Sequence, residues 1–114
     1  MEAGCLLAAV EGKRIILGRD CMLSNNVNIR TTDSHSIING SGKRTNPGAD
    51  IVIGNHVWIG FESLILKGTI IPNNCIIGAR SILTSSLRAE DNDIIVGAPA
   101  KVLKKGHAWK RERT

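Results

Sequence analysis

The run Thr31-Thr32-Asp33-Ser34-His35 carries the side chain best suited to chemistry in this chain. An imidazole titrates near neutrality, so it can take a proton from a hydroxyl or amine as that atom attacks a carbonyl. His35 opens a segment rich in Gly, Ser, Asn and charge, HSIINGSGKRTNPGAD, that runs to Asp50. Loops on rigid scaffolds often carry binding and catalytic residues. The other histidines are weaker candidates, His56 at an outward place in IGNHVW and His107 in the C-terminal stretch. No close HxxxxH pair is present, so the three make no metal constellation. Cys5, Cys21 and Cys75 are odd in number and lack CxxC spacing, which points to buried thiols in a reducing compartment rather than a disulfide frame.

The elements that must position His35 follow from a six-residue period. Aliphatic residues recur at Leu17, Leu23 and Ile29, and again at Ile53, Ile59, Ile65, Ile71, Ile77 and Leu83. Neither a helix nor an ordinary sandwich has that period. Each block, such as IGNHVW or IPNNCI, makes one short flat strand and a corner, with its first residue inward and its fifth confined to small or β-branched side chains. Three blocks close one triangular coil. Leu17 to Arg88 has the length of twelve blocks, which predicts an all-β stack of about four parallel coils. His35, Ser41 and Pro47 fall where aliphatics should recur, so 35–50 is expected to leave the wall as an extruded loop.

The chain is read as one domain, with an irregular N-terminal cap at 1–15, coils over 16–98, and a basic C-terminal cap at 99–114. The cap PAKVLKKGHAWKRER predicts a short helix interrupted at Gly106, then a frayed tail. Val57, Leu64 and Ile76 are expected to point outward and supply apolar faces for threefold packing. Net charge is +5, gathered at Lys101, Lys104, Lys105, Lys110, Arg111 and Arg113. That charge fits a phosphate-bearing cofactor, a nucleic-acid surface without any accompanying motif, or simple solvation. No basic n-region precedes the short CLLAAV run and no apolar stretch is long enough to span a membrane, so the expected location is the cytoplasm.

Taken together, NIRTTDSHSI, GKRTNP, IVIGNHVWIG, the six-residue ladder and VGAPAKVLKK resemble the hexapeptide-repeat acyltransferases of the left-handed parallel β-helix fold, over about residues 16 to 105. They most resemble the branch that O-acetylates bacterial surface polysaccharides, with sugar and antibiotic acetyltransferases as relatives. The resemblance implies a left-handed coil, an exception to right-handed crossovers. It also implies a homotrimer with active sites in the clefts between subunits, acetyl-coenzyme A as co-substrate, a sugar or polysaccharide acceptor, and no metal. By the same similarity His35 is the general base, with Asp33 or a backbone carbonyl holding its tautomer. A backbone amide near Gly60 would face the oxyanion.

Trp58 matches the place beside the reacting thioester, or is a corner residue packing between coils. Gly60, Ala79 and Thr84 match the pantetheine wall, and Lys101 and Lys104 the positions that meet the coenzyme phosphates. Ser24, Asn26, Asn39 and Arg44 are acceptor-side candidates or plain surface and corner residues. The chain departs from the family pattern at Pro72 and Arg80, where glycine is frequent, and at 87–93, which lacks a double-proline turn. Its N-terminus is shorter than in relatives, whose further segment often helps form the acceptor pocket. Three readings follow: an acetyl-CoA-dependent O-acetyltransferase, a catalytically silent trimeric β-helix binding or scaffold module, and a γ-carbonic-anhydrase-like protein, disfavoured by the missing ligands.

Overall fold

Six-residue blocks form strands of two or three residues because each block must turn a corner before the next begins. In the computed structural model, which describes residues 4–113, the fourth residue of the block makes that corner with a left-handed backbone. Asp20, Asn26, His56, Glu62, Asn74, Arg80 and Asn92 all take φ between 53° and 66°. Asn and Asp tolerate this region at little cost, whereas Glu62 and Arg80 occupy it within an ion pair between stacked corners, Arg80 Nε to Glu62 Oε1 at 2.6 Å.

The strands are β1 (Leu6–Ala8), β2 (Ile15–Leu17), β3 (Met22–Leu23), β4 (Asn28–Arg30), β5 (Ile51–Ile53), β6 (Trp58–Ile59), β7 (Leu64–Ile65), β8 (Ile70–Ile71), β9 (Ile76–Ile77), β10 (Ile82–Leu83), β11 (Ile94–Gly97) and β12 (Ala100–Lys104). They form three walls: A (β1-β4-β7-β10), B (β2-β5-β8) and C (β3-β6-β9-β11-β12). Pairing is parallel and in register, Ile29 opposite Ile65, Ile53 opposite Ile71, and Ile59 opposite Ile77. Equivalent side chains therefore stack in columns, and the inward isoleucines are essentially sealed from solvent. The fifth residues, Val27, Val57, Ser63, Thr69, Cys75 and Ser81, fill the space beside the corners and are buried as well. Each fully buried aliphatic contributes about 1.5–3 kcal/mol, and covering one coil by the next is what buries it.

Several expectations are corrected. Val57 is not outward: it is fully buried at the fifth place, while Leu64 and Ile76 are half-buried on the wall. The irregular cap at 1–15 contains β1, which pairs with β4 through Leu7 opposite Ile29, so a first coil begins there; residues 1–3 lie outside the described residues. It escapes the six-residue reading because Leu7 and Leu17 stand ten positions apart, the turn at Glu11 and Gly12 adding four. Leu17 is in register with Ile53 yet 39% exposed, since among the described residues no strand pairs with the outer side of β2.

Among the described residues no C-terminal helix forms. Residues 100–104 form β12, antiparallel to β11, with Val102 against the core. A helix would have left β11 with an open edge of unpaired backbone, and β12 closes it. The loop also differs in bookkeeping. Ile29 and Ile53, in successive strands, lie twenty-four positions apart rather than six, so the loop inserts eighteen residues and keeps the repeat in phase without forming a coil. The four coils include the N-terminal one and end at β11.

Candidate active site

The loop leaves the corner between walls A and B and is pinched at its neck, where the Ala49 amide donates to the Thr31 carbonyl at 2.9 Å. Buried Thr31 ties the neck to the first coil, its Oγ1 accepting from the Val10 amide at 3.0 Å. Beyond the neck, Asp33 Oδ2 accepts from Lys67 Nζ of the third coil at 2.7 Å and from Asn46 Nδ2 at 2.9 Å. The Lys67 hydrogen bond, supported by that of Asn46, holds the Asp33 carboxyl below the ordinary carboxylate range. On the other side the Arg44 guanidinium forms an ion pair with Glu11 of the first coil and so lowers the Glu11 pKa. The loop is thus braced to the coils on both sides of its own.

His35 is exposed between these braces, and among the described residues no hydrogen bond reaches its imidazole. Its carbonyl accepts from Asn46 Nδ2 at 2.8 Å. Asp33 therefore braces the loop rather than orienting the ring within one chain. Arg44 and Asn39 are likewise taken up locally, Arg44 by Glu11, and Asn39 Oδ1 by the amides of Ser41 and Lys43 at 2.9 and 3.0 Å. Asn26 is a left-handed corner.

Trp58 lies on β6 in wall C, its Nε1 donating to Ser24 Oγ at 3.3 Å. In a triangular prism the A/B corner faces away from wall C, so one chain carries His35 and Trp58 on opposite sides. Beside Trp58 the C-terminal stretch folds back along the B/C corner. The His107 amide donates to the Asn92 carbonyl, the Trp109 ring stacks on His56 at 4.0 Å between centroids, and Arg111 reaches Asp20 at 2.6 Å. Both ring nitrogens of His56 face acceptors, Trp109 O at 3.0 Å and Asp20 Oδ2 at 2.7 Å. The Trp109 carbonyl first, and Asp20 after it, raise the His56 pKa above its ordinary value. The stretch expected to fray is therefore a strap, and Arg111 is spent on the protein itself. Lys105 is spent in the same way, on Asp93 and Glu90.

Gly60 is buried and its amide donates to the Ile77 carbonyl at 2.8 Å, so it is not free to face an oxyanion. Ala79 is exposed, and Thr84 Oγ1 lies 2.7 Å from Ser86 Oγ. Lys101 and Lys104 are exposed on β12 and enter no ion pair among the described residues. Lys101 borders a small, mostly apolar cavity of about 260 Å³ lined also by Ser86, Leu87, Arg88, Ala100 and Val102. No three His, Cys, Asp or Glu side chains are grouped for a metal among the described residues.

Asn46, Lys67 and Trp109 were not singled out by sequence. Asn46 has a signal in its place within the loop run GKRTNP, and Trp109 in being an indole amid charge; Lys67, in ILKGTI, has none.

The described chain is a stack of parallel hexapeptide coils with one extruded, histidine-bearing loop, the architecture of a parallel β-helix. Residues 50–85 match the family described as bacterial transferase hexapeptide (six repeats). The polysialic acid O-acetyltransferase of Neisseria meningitidis is 48% identical over 69 residues, 60% of this chain and 32% of that protein. The putative lipopolysaccharide biosynthesis O-acetyl transferase WbbJ of Escherichia coli K12 is 32% identical over 109 residues, 87% of this chain and 53% of its own. The crystal structure of the polysialic acid O-acetyltransferase OatWY superposes with a TM-score of 0.90 at 40% identity, covering 98% of this chain and 56% of that one. The repeat at 50–85 matches the hexapeptide family, and nearly the whole chain is similar to hexapeptide-repeat acetyltransferases. It spans from about a third to about half of the length of these relatives.

Proposed function

We propose that this chain carries the acyl-transfer site of an acetyl-coenzyme A-dependent O-acetyltransferase whose acceptor is a hydroxyl of a sugar or surface polysaccharide. The observation that carries this reading is His35, an exposed imidazole on a loop braced from two neighbouring coils. The names of the similar proteins supply the acceptor class. In the proposed step the acceptor oxygen attacks the thioester carbonyl while His35 takes its proton. Collapse of the tetrahedral intermediate breaks the carbon–sulfur bond, and the proton passes to the departing coenzyme thiolate. Three unpaired cysteines fit a reducing, cytoplasmic setting for this chemistry.

The site proposed is shared between subunits of a homotrimer. His35 and Trp58 lie on opposite sides of one prism, so only a second copy can bring one beside the other. Exposed Ile37 and Ile38 on the loop and Ile70 on wall B offer apolar surface for such contact. Purified protein incubated with acetyl-coenzyme A and either sialic acid polymer or a lipopolysaccharide-type oligosaccharide is expected to release free coenzyme thiol only when acceptor is present. Light scattering of the same sample should give three times the 12.3 kDa chain mass. An active monomer would sink the shared site, and thiol release indifferent to every acceptor would sink the transfer reaction.

Lys101 and Lys104 are proposed to meet the coenzyme phosphates. Removing both as Lys101→Ala/Lys104→Ala is expected to weaken coenzyme A binding and flatten its salt dependence, because charges act over about 8 Å at physiological ionic strength. Dephospho-coenzyme A should lose less. Calorimetry showing equal losses for both ligands would reject phosphate recognition by this pair.

A further inference from the structure

One buried carboxamide brackets His35, bonding the Asp33 side chain before it and the main chain at His35 and Ile37. Asn46, 6% exposed, donates through Nδ2 to Asp33 Oδ2 at 2.9 Å and to the His35 carbonyl at 2.8 Å. Its Oδ1 accepts from the Ile37 amide at 2.7 Å and from Arg44 Nε at 3.2 Å. A carboxamide has two N–H donors and two acceptor lone pairs, so all four are used. The orientation follows from the partners, since a carboxylate and a carbonyl only accept whereas an amide and a guanidinium only donate.

Three of these four bonds touch residues 33, 35 and 37, the successive alternate positions around the imidazole, and the fourth goes to Arg44; Asp33 and Arg44 each lead to a different coil. Arg44 passes the restraint to Glu11 in the first coil, and Asp33 passes it to Lys67 in the third. Asn46 is where both braces meet, and the ring of His35 has no hydrogen bond of its own within the described chain to fix it. Placement of the imidazole in one subunit thus depends on the backbone that carries it. Resting on the reading of His35 as general base, we propose that Asn46 is a positioning residue that sets the place of that base for proton transfer.

The test is a kinetic cycle on the assembled protein with an acceptor that the wild type uses. Asn46→Ala is expected to lower kcat by about 10- to 100-fold, the cost of misplacing a catalytic group by about an ångström, and to leave KM for acetyl-coenzyme A within about twofold. Asn46→Asp has the same shape but turns an acceptor toward Asp33 and the His35 carbonyl, so it should fail to rescue the rate. It also carries the test if the alanine variant does not fold. Placed in a His35→Ala background, either Asn46 variant should cost nothing further, because a base that is absent cannot be misplaced. A folded variant with wild-type kcat would overturn the proposal, as would losses that multiply in the double variant, the behaviour of a merely structural defect. An impaired His35→Ala with intact Asn46 variants rejects the positioning role alone, whereas an unimpaired His35→Ala rejects the base and its positioning together.

Discussion

His35→Ala should lower acetyl transfer by about 10²- to 10⁴-fold, the usual contribution of a positioned general base. The loss belongs to the chemical step, so kcat should fall while coenzyme A affinity and trimer mass stay near wild type. The fold is expected to survive because the imidazole is exposed and accepts or donates no hydrogen bond among the described residues, so its removal opens no cavity. Steady-state rates on both proteins are the measurement. Equal turnover by the two would remove His35 from the mechanism. Trp58→Ala should behave differently, raising KM for acceptor or acetyl-coenzyme A.

The parts of this structure that were legible in sequence are those where one environment repeats. Every inward place from Leu23 to Leu83 meets the same covered column, so selection leaves an aliphatic there each time and the period becomes visible. Where the chain adds residues, the period misleads. Four extra residues at Glu11 and Gly12 hid β1, and eighteen in the loop imitated a coil by preserving phase. The stretch after Pro99 has a helical look locally, but the open edge of β11 decides its state, a tertiary demand that local propensity does not record. The site shows the same division. His35 stood out by its chemistry and its place at a repeat break. Asn46 and Lys67 act through partners distant along the chain, Lys67 on Asp33 across thirty-four positions, and no spacing rule announces such a bond.

Gly60→Ala is expected to destabilise the protein by about 1–3 kcal/mol, the range for inserting a carbon into a closed interior. A Cβ built at Gly60 would lie 2.7 Å from the Ala79 nitrogen and 2.8 Å from the Ile77 oxygen, both main-chain atoms of the next coil. Neither can swing aside as a flexible side chain would. Relief requires the third coil to slide away from the second, which stretches the 2.8 Å bond from the Gly60 amide to Ile77 and opens the pairing of β6 with β9. The glycine is therefore demanded by coil stacking, whatever ligand passes outside the wall. The two roles separate in measurement. A stacking role lowers the thermal midpoint by several degrees for each kcal/mol in a chain of this size and leaves coenzyme A affinity of the folded fraction unchanged. A wall position that touches only the pantetheine arm would leave the midpoint where it is and weaken coenzyme binding instead. Thermal unfolding together with calorimetric titration of Gly60→Ala distinguishes them, and an unchanged midpoint would show that the coils part more easily than the packing at Ala79 allows.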